Sequence, residues 1–230
     1  MIIKGLAKLT LLDYPGKVAC TVFTGGCNFR CPFCHNASLV IRPGDVDAID
    51  EEDFFSFLQK RHGVLEGVCV TGGEPTLMPD LEAFLERIKL YGYSVKLDTN
   101  GSFPEKLAAL VEARLVDRVA VDIKNSPESY GKTVGIENFD LSPIRQTVEY
   151  LKSGAVDYEF RTTVVNELHS EADMESIGRW IEGANAYYLQ QFIDSGDLIG
   201  TDLSAPEKTR MESYLAIVKQ YVSNSHIRGM

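Results

Sequence analysis

Six short runs rich in β-branched and aromatic residues recur along this chain, and segments with helical spacing of apolar residues lie between and after them. That alternation is the strongest constraint on the fold, because strands separated by helices pair in parallel through crossovers rather than as hairpins. The strand candidates are Ala19–Thr24, Gly67–Thr71, Ser94–Asp98, Arg118–Ile123, Tyr158–Val164 and Tyr187–Ile193. The helix candidates are Asp50–Arg61, Leu81–Leu90, Pro104–Arg114, Ser142–Lys152, Glu171–Glu182 and Pro206–Val222. In the first, Phe54, Phe57 and Leu58 share a face; in the second, Phe84, Leu85 and Ile88 do. Pro104 and the pair Ser142-Pro143 are helix-start signals. Six such units predict an α/β fold of the partial (β/α)6 barrel kind, two units short of the full eight, with a doubly wound sheet as the alternative. No repeat, low-complexity stretch or long linker interrupts the pattern, so residues 1–230 are expected to form a single domain with a sizeable core.

The carboxyl ends of the first four strands carry unusual residues: Thr24-Gly25-Gly26-Cys27, Thr71-Gly72-Gly73-Glu74-Pro75, Asp98-Thr99-Asn100-Gly101 and Asp122-Ile123-Lys124. In a parallel α/β fold these ends share one face, where loops build the functional site. Residues a hundred positions apart are therefore expected around one ligand.

The first of these loops holds the densest chemistry. Cys27, Cys31 and Cys34 stand at the spacing C-x3-C-x2-C. Three thiolates on a short loop suit an iron–sulfur cube taken one iron at a time. A [4Fe–4S] cluster usually has four cysteine ligands, so three leave one iron open to bind substrate as a Lewis acid. Structural zinc is the alternative, with the adjacent His35 as a fourth ligand, although paired C-x2-C knuckles are the usual zinc layout. Cys20 and Cys69 fall inside candidate strands and read as small core residues.

Composition narrows the partners. The net charge of -10 argues against general affinity for nucleic acid or an anionic membrane. No apolar run approaches the ~18–20 residues needed to span a bilayer, and Met1–Thr10 lacks a signal-peptide layout, so a cytoplasmic location is expected. In that reducing setting five cysteines point to metal or redox chemistry rather than to a disulfide framework.

Taken together, the cysteine loop with Phe33 before its third cysteine and the run Gly72-Gly73-Glu74-Pro75 resemble the radical S-adenosylmethionine superfamily. Cys34-His35-Asn36, Leu12-Asp13-Tyr14-Pro15-Gly16, Asp98-Thr99-Asn100-Gly101 and Asp122-Ile123-Lys124 resemble its glycyl-radical-enzyme activases, above all the activating proteins of anaerobic ribonucleoside-triphosphate reductase, with pyruvate formate-lyase activating enzyme as a near relative. The chain lacks a second, ferredoxin-like set of cysteines and so resembles the single-cluster group.

The resemblance implies a [4Fe–4S] cluster on Cys27, Cys31 and Cys34 whose open iron is chelated by the methionine end of S-adenosylmethionine. Reductive cleavage then frees a 5′-deoxyadenosyl radical, which draws hydrogen from a glycine of a partner enzyme. That partner would be anaerobic ribonucleotide reductase, with flavodoxin or ferredoxin as electron donor. Phe33, Asn36, Gly72, Gly73, Glu74, Asp98, Thr99, Asp122 and Lys124 would contact the cofactor, Glu74 near its amino group and Lys124 at its carboxylate or ribose. Asp98, Thr99 and Asp122 resemble the oxygen set of a monovalent cation; turn chemistry is the alternative for the Asp98–Asn100 stretch. Arg161 either stabilises an anionic ligand group or pairs with a buried acid. Either Gln190 or Gln191 faces the ligand, since a one-residue slip exchanges them. His62, His169 and His226 are assigned no catalytic role. The loops Asn125–Asp140 and Asp194–Ser204 either contact a partner or merely connect elements. Two other functions fit the same residues: a small-molecule enzyme like the 7-carboxy-7-deazaguanine synthases, and a non-catalytic module holding zinc or a passive cluster.

Overall fold

The computed structural model describes residues 1–229. Its centre is one eight-stranded sheet in which spatial order follows chain order throughout: β1 (Ile3–Thr10), β2 (Ala19–Thr24), β3 (Gly67–Gly72), β4 (Ser94–Thr99), β5 (Arg118–Asp122), β6 (Asp157–Val164), β7 (Tyr187–Gln191) and β8 (Ser225–Arg228). β1 and β2 form an antiparallel hairpin, and every later pair is parallel. A doubly wound sheet reverses strand order at a switch point; this one never does. Among the described residues β8 does not pair with β1, so the sheet curls without closing. The six expected strands are β2–β7. The edge strands β1 and β8 are additions that sequence reading missed.

Among the described residues eight α-helices accompany the sheet: α1 (Ala37–Ile41), α2 (Glu51–Lys60), α3 (Leu81–Leu90), α4 (Pro104–Glu112), α5 (Tyr130–Val134), α6 (Ser142–Lys152), α7 (Glu171–Trp180) and α8 (Lys208–Val218). Helix α2 differs from expectation in one residue: Phe54, Phe55 and Leu58 are buried and Phe57 is only partly so. Phe55 packs against Phe84 of α3 and stacks with Tyr91, which places it one position round the helix from the expected face. Helix α7 begins with a capping box, Ser170 and Asp173 each accepting from the other's backbone N–H.

The two faces of the sheet differ in chemistry. Along β4, β5 and β6 the residues Val95, Leu97, Val119, Val121, Tyr158 and Phe160 belong to the apolar core shared with the helices. The residues that alternate with them, on the opposite face by the two-residue period of a strand, include Ala120 and the charged Lys96, Asp98, Arg118, Asp122, Glu159 and Arg161. All-parallel sheets covered on both faces read as continuous apolar runs. Here the second face lines a barrel lumen, and charges fill it in pairs. Glu159 accepts two hydrogen bonds from Arg228 (2.6 and 3.0 Å) and one from Arg118 (2.9 Å), a link from β8 to β6 to β5.

Candidate functional site

A cavity of about 250 Å³ opens at the carboxyl ends of β2–β7. Every residue singled out from sequence as a cluster or cofactor contact lines it: Cys27, Cys31, Cys34, Phe33, Asn36, Gly72, Gly73, Glu74, Asp98, Thr99, Asp122 and Lys124. Gln190 lines it too, whereas Gln191 donates to the Pro206 carbonyl (2.8 Å), which settles the register left open above. Arg161, Asn100 and Thr163 complete the polar wall.

The cysteine loop is seated on the end of β3. Gly26, at φ +82°, accepts the Glu74 N–H through its carbonyl (2.8 Å) and donates to the Leu39 carbonyl (2.8 Å). Gly73 lies so close that a Cβ would stand 1.9 Å from the Gly26 oxygen, and at Gly72, φ +112°, a Cβ would stand 2.3 Å from the Thr24 nitrogen. No side chain fits either place. The paired glycines therefore let β3 and the cysteine loop touch backbone to backbone. Asn28 fastens the loop to the next strand end, accepting from Asn100 (2.8 Å) and donating to Ser102 (2.9 Å). The Asn36 amide donates to the Gly72 carbonyl (3.0 Å).

Burial pushes the Cys31 thiol up to about 12 and raises the pKa of Cys27 and Cys34. Bare thiols here hold their protons, and metal loading must displace them. The donor set fits an iron–sulfur cluster: three free thiols line one cavity and neither other cysteine is among its lining residues. Cys20 is buried in the core and Cys69 lies 4.0 Å from the Lys96 Nζ. Among the described residues no three His, Cys, Asp or Glu side chains converge as ligands of a single ion. His35, the candidate fourth zinc ligand, packs its ring on Phe192 at 5.7 Å.

Glu74 is 1% exposed. Its carboxylate accepts from the Thr76 N–H (3.0 Å) and hydroxyl, the Thr99 hydroxyl (2.7 Å) and the Asn100 N–H (2.7 Å). It thus ties the end of β3 to the end of β4. Burial raises its pKa despite those donors. Asp98 and Asp122 are bridged by one guanidinium: Arg161 Nη1 donates to Asp98 and Nε to Asp122, both at 2.9 Å. Lys96 pairs with Asp98, and Lys124 with Asp122 at 3.0 Å. Burial opposes charge on Asp122, yet Arg161 and Lys124 outweigh it and hold the carboxyl well below its usual range. Of the oxygen set read for a monovalent cation, Asp98 and Asp122 thus pair with the chain's own cations, and the Thr99 hydroxyl donates to Glu74. Of the two readings of Arg161, the geometry displays pairing with acids, Asp98 buried and Asp122 partly so.

His169, given no catalytic role from sequence, is buried behind the site. The Val165 N–H donates to its Nδ1 (3.1 Å), which leaves the proton on Nε2 to donate to the Lys124 carbonyl (3.0 Å). Its only advance signal was a lone histidine ahead of a capping serine. The two loops of undecided role both hold the cysteine loop: within Asn125–Asp140, the Val134 carbonyl accepts the Arg30 N–H (2.8 Å), and within Asp194–Ser204, the Gly200 N–H donates to the Pro32 carbonyl (2.8 Å).

Comparison with known proteins bears on this site. Residues 21–181 match the model of the Radical SAM superfamily. A protein of Methanocaldococcus jannaschii, provisionally named a glycyl-radical enzyme activating enzyme, is 31% identical over 236 aligned residues, covering 99% of this chain and 95% of the relative. Among solved structures, a domain of the pyruvate-formate lyase-activating enzyme of Bacteroides vulgatus aligns with TM-score 0.58 and 18% identity over 71% of this chain and 99% of that one. Streptococcus suis SuiB bound to the precursor peptide SuiA aligns with TM-score 0.71 and 12% identity over 91% of this chain and 48% of that one. At such identities the two structures speak for the fold alone. No described helix is long and apolar enough to cross a membrane.

Proposed function

The chain belongs to the Radical SAM superfamily, and on that premise we propose that it is an activating enzyme that generates a glycyl radical on a partner protein. It is an oxidoreductase-type radical enzyme whose cofactors are a [4Fe–4S] cluster and S-adenosylmethionine. In our reading Cys27, Cys31 and Cys34 hold the cluster and leave one iron without a protein ligand. The cluster, when bound, supplies the electron that splits a carbon–sulfur bond of S-adenosylmethionine and so yields a 5′-deoxyadenosyl radical.

The remaining work falls to the chain. Arg161 and Lys124 bring two cations to the cavity wall, each paired with Asp122, and Arg161 with Asp98 as well. Lys124 is the cation we assign to the ligand carboxylate. Phe29 and Phe33, both buried, wall the cavity beside the cysteines and keep water from it. Lys124 Nζ sits 5.9 Å over the Phe33 ring, aimed between cluster loop and floor. Gln190 reaches the ligand from the opposite wall.

The observation that carries the activase reading is the match to the Methanocaldococcus jannaschii protein along nearly the whole of both chains. Anaerobic ribonucleotide reductase is our choice of partner and flavodoxin or ferredoxin our choice of electron donor. The test is anaerobic electron paramagnetic resonance on the reductase after mixing with the reconstituted chain, reductant and S-adenosylmethionine. A glycyl-radical doublet is the expected outcome. Release of 5′-deoxyadenosine that depends on an added small molecule, with no radical on any protein, sinks the activase reading and favours a small-molecule enzyme.

A further inference from the structure

The two ends of the cysteine loop are held differently. Around Cys27 the loop is bolted to the barrel: the Gly26 carbonyl accepts from Glu74, Asn28 bonds Asn100 and Ser102, and the Gly26–Gly73 contact admits no side chain. Around Cys34 one bond, from the Asn36 amide to the Gly72 carbonyl, reaches the barrel, and the other neighbours come from the segment 192–200, which follows β7 and runs alongside residues 32–38. Three contacts join them. The Phe192 ring packs on His35 at 5.7 Å. Asp197 Oδ2 accepts both the Ser38 N–H (3.1 Å) and the Ser38 hydroxyl (2.8 Å). The Gly200 N–H donates to the Pro32 carbonyl (2.8 Å), and a Cβ on Gly200 would stand 2.6 Å from that of Pro32. The contacts fall at positions 32, 35 and 38 and so bracket Cys34.

We propose that segment 192–200 is a latch for the Cys34 corner of the cluster, with Asp197 and Gly200 as its positioning residues. The inference rests on the reading that Cys27, Cys31 and Cys34 hold the cluster. Its physical basis is a difference in local stability. Residues 193–197 are exposed and bury little apolar surface, so the stretch beyond the buried Phe192 lifts away at less cost than the strand ends that hold Cys27. Asp197 supplies two hydrogen bonds to an anion, stronger than neutral ones, at the outer end of the bracket. When it releases, Cys34 loses the wall that fixes its place, and the iron it holds becomes the first of the three cysteine-bound irons open to chelator or oxygen.

The test uses the full chain reconstituted anaerobically, with iron loss to a chelator followed over time. Asp197→Ala is expected to lose iron about five- to tenfold faster than the wild type, a size consistent with two exposed charge-assisted hydrogen bonds. Asp197→Asn keeps an oxygen that accepts both Ser38 donors and is expected to restore retention to within about twofold of the wild type. Gly200→Ala, which must push Pro32 aside, is expected to accelerate loss as well. Melting of the cluster-free variants should stay at the wild-type value, which separates a latch from a folding defect. Wild-type loading together with unchanged iron loss in Asp197→Ala, or equal loss in the Asn and Ala variants, overturns the latch. Failure of the wild type to load any iron overturns the cluster reading itself.

Discussion

The outer and inner faces of the sheet are made from alternate residues of the same strands, yet they do opposite work. Outward, Val95, Leu97, Val119, Val121, Phe160 and Leu189 join the helices in the apolar core. That burial is non-directional, and its contribution scales with area. Inward, Lys96, Asp98, Arg118, Asp122, Glu159 and Arg161 form ion pairs whose strength depends on each partner staying in place. Well-packed apolar residues of similar volume often stabilise a protein as much as buried ion pairs do. The polar lumen is better understood as the price of a charged floor for the site than as the source of stability. Removing one partner, however, leaves a buried charge stranded.

The largest expected effect tests the outer face. Phe84, 1% exposed and in ring contact with Phe54 and Phe55, should cost about 3–5 kcal/mol of stability when changed to Ala. Chemical denaturation of the cluster-free chain measures it, and the loss should be independent of pH. A marked pH dependence would break the division between the faces.

The inner face should answer to pH instead. Burial opposes ionisation of Glu159, but the Arg228 hydrogen bond and charge, then Lys96 and Arg118, override it and hold the carboxyl at about 2 against an ordinary 4.5. A depressed folded-state pKa means that the stabilisation is fully present above 4.5 and is lost as pH falls from there toward 2. The increment is on the order of 2–3 kcal/mol. Denaturation curves at pH 7 and pH 3 should show Glu159→Gln less stable than the wild type at the higher pH, with the difference reduced by about half at the lower. A difference of the same size at both values would place the stabilisation outside the charge.

The smallest effect sharpens the comparison most, because it separates adjacent residues on opposite faces. Gln190→Ala should weaken S-adenosylmethionine binding to the reconstituted chain several-fold with little change in melting. Gln191→Ala should leave binding unaltered and cost about 1 kcal/mol or less through its hydrogen bond to Pro206. Calorimetric titration reads both, and equal effects on binding would remove the distinction.

Much of this architecture was legible beforehand. The six strands β2–β7 announced themselves through β-branched runs, and the polar strand ends marked the face where the site lies. The edge strands did not. Three of the four residues of β8, Ser-His-Ile-Arg, are polar, and β1 is half exposed for most of its length and interrupted by Gly5, so neither carries the signature of a buried strand. Phe55 displaced Phe57 on α2 because its position faces the ring cluster of Phe54, Phe84 and Tyr91, a neighbourhood that helical periodicity alone does not describe.

Glu74 shows the same limit within the site. Its motif marked it as a cofactor contact, and it does line the cavity. Only the fold revealed that its oxygens are taken by Thr76, Thr99 and Asn100, so that it joins two strand ends. The position of His169 behind the Lys124 carbonyl was equally hidden, since 45 residues separate the two.

The cysteine spacing was decided by the sequence itself. Eight residues of chain reach only a short distance, so three thiols at C-x3-C-x2-C are bound to be neighbours wherever the loop sits. The pairing of Arg161 with both Asp98 and Asp122 was decided by tertiary structure, across separations of 63 and 39 residues. Nothing local brings those groups together. They meet because β4, β5 and β6 lie side by side in a register that sets Asp122 opposite Arg161, and a shift of one residue would turn every one of these charges toward the helices.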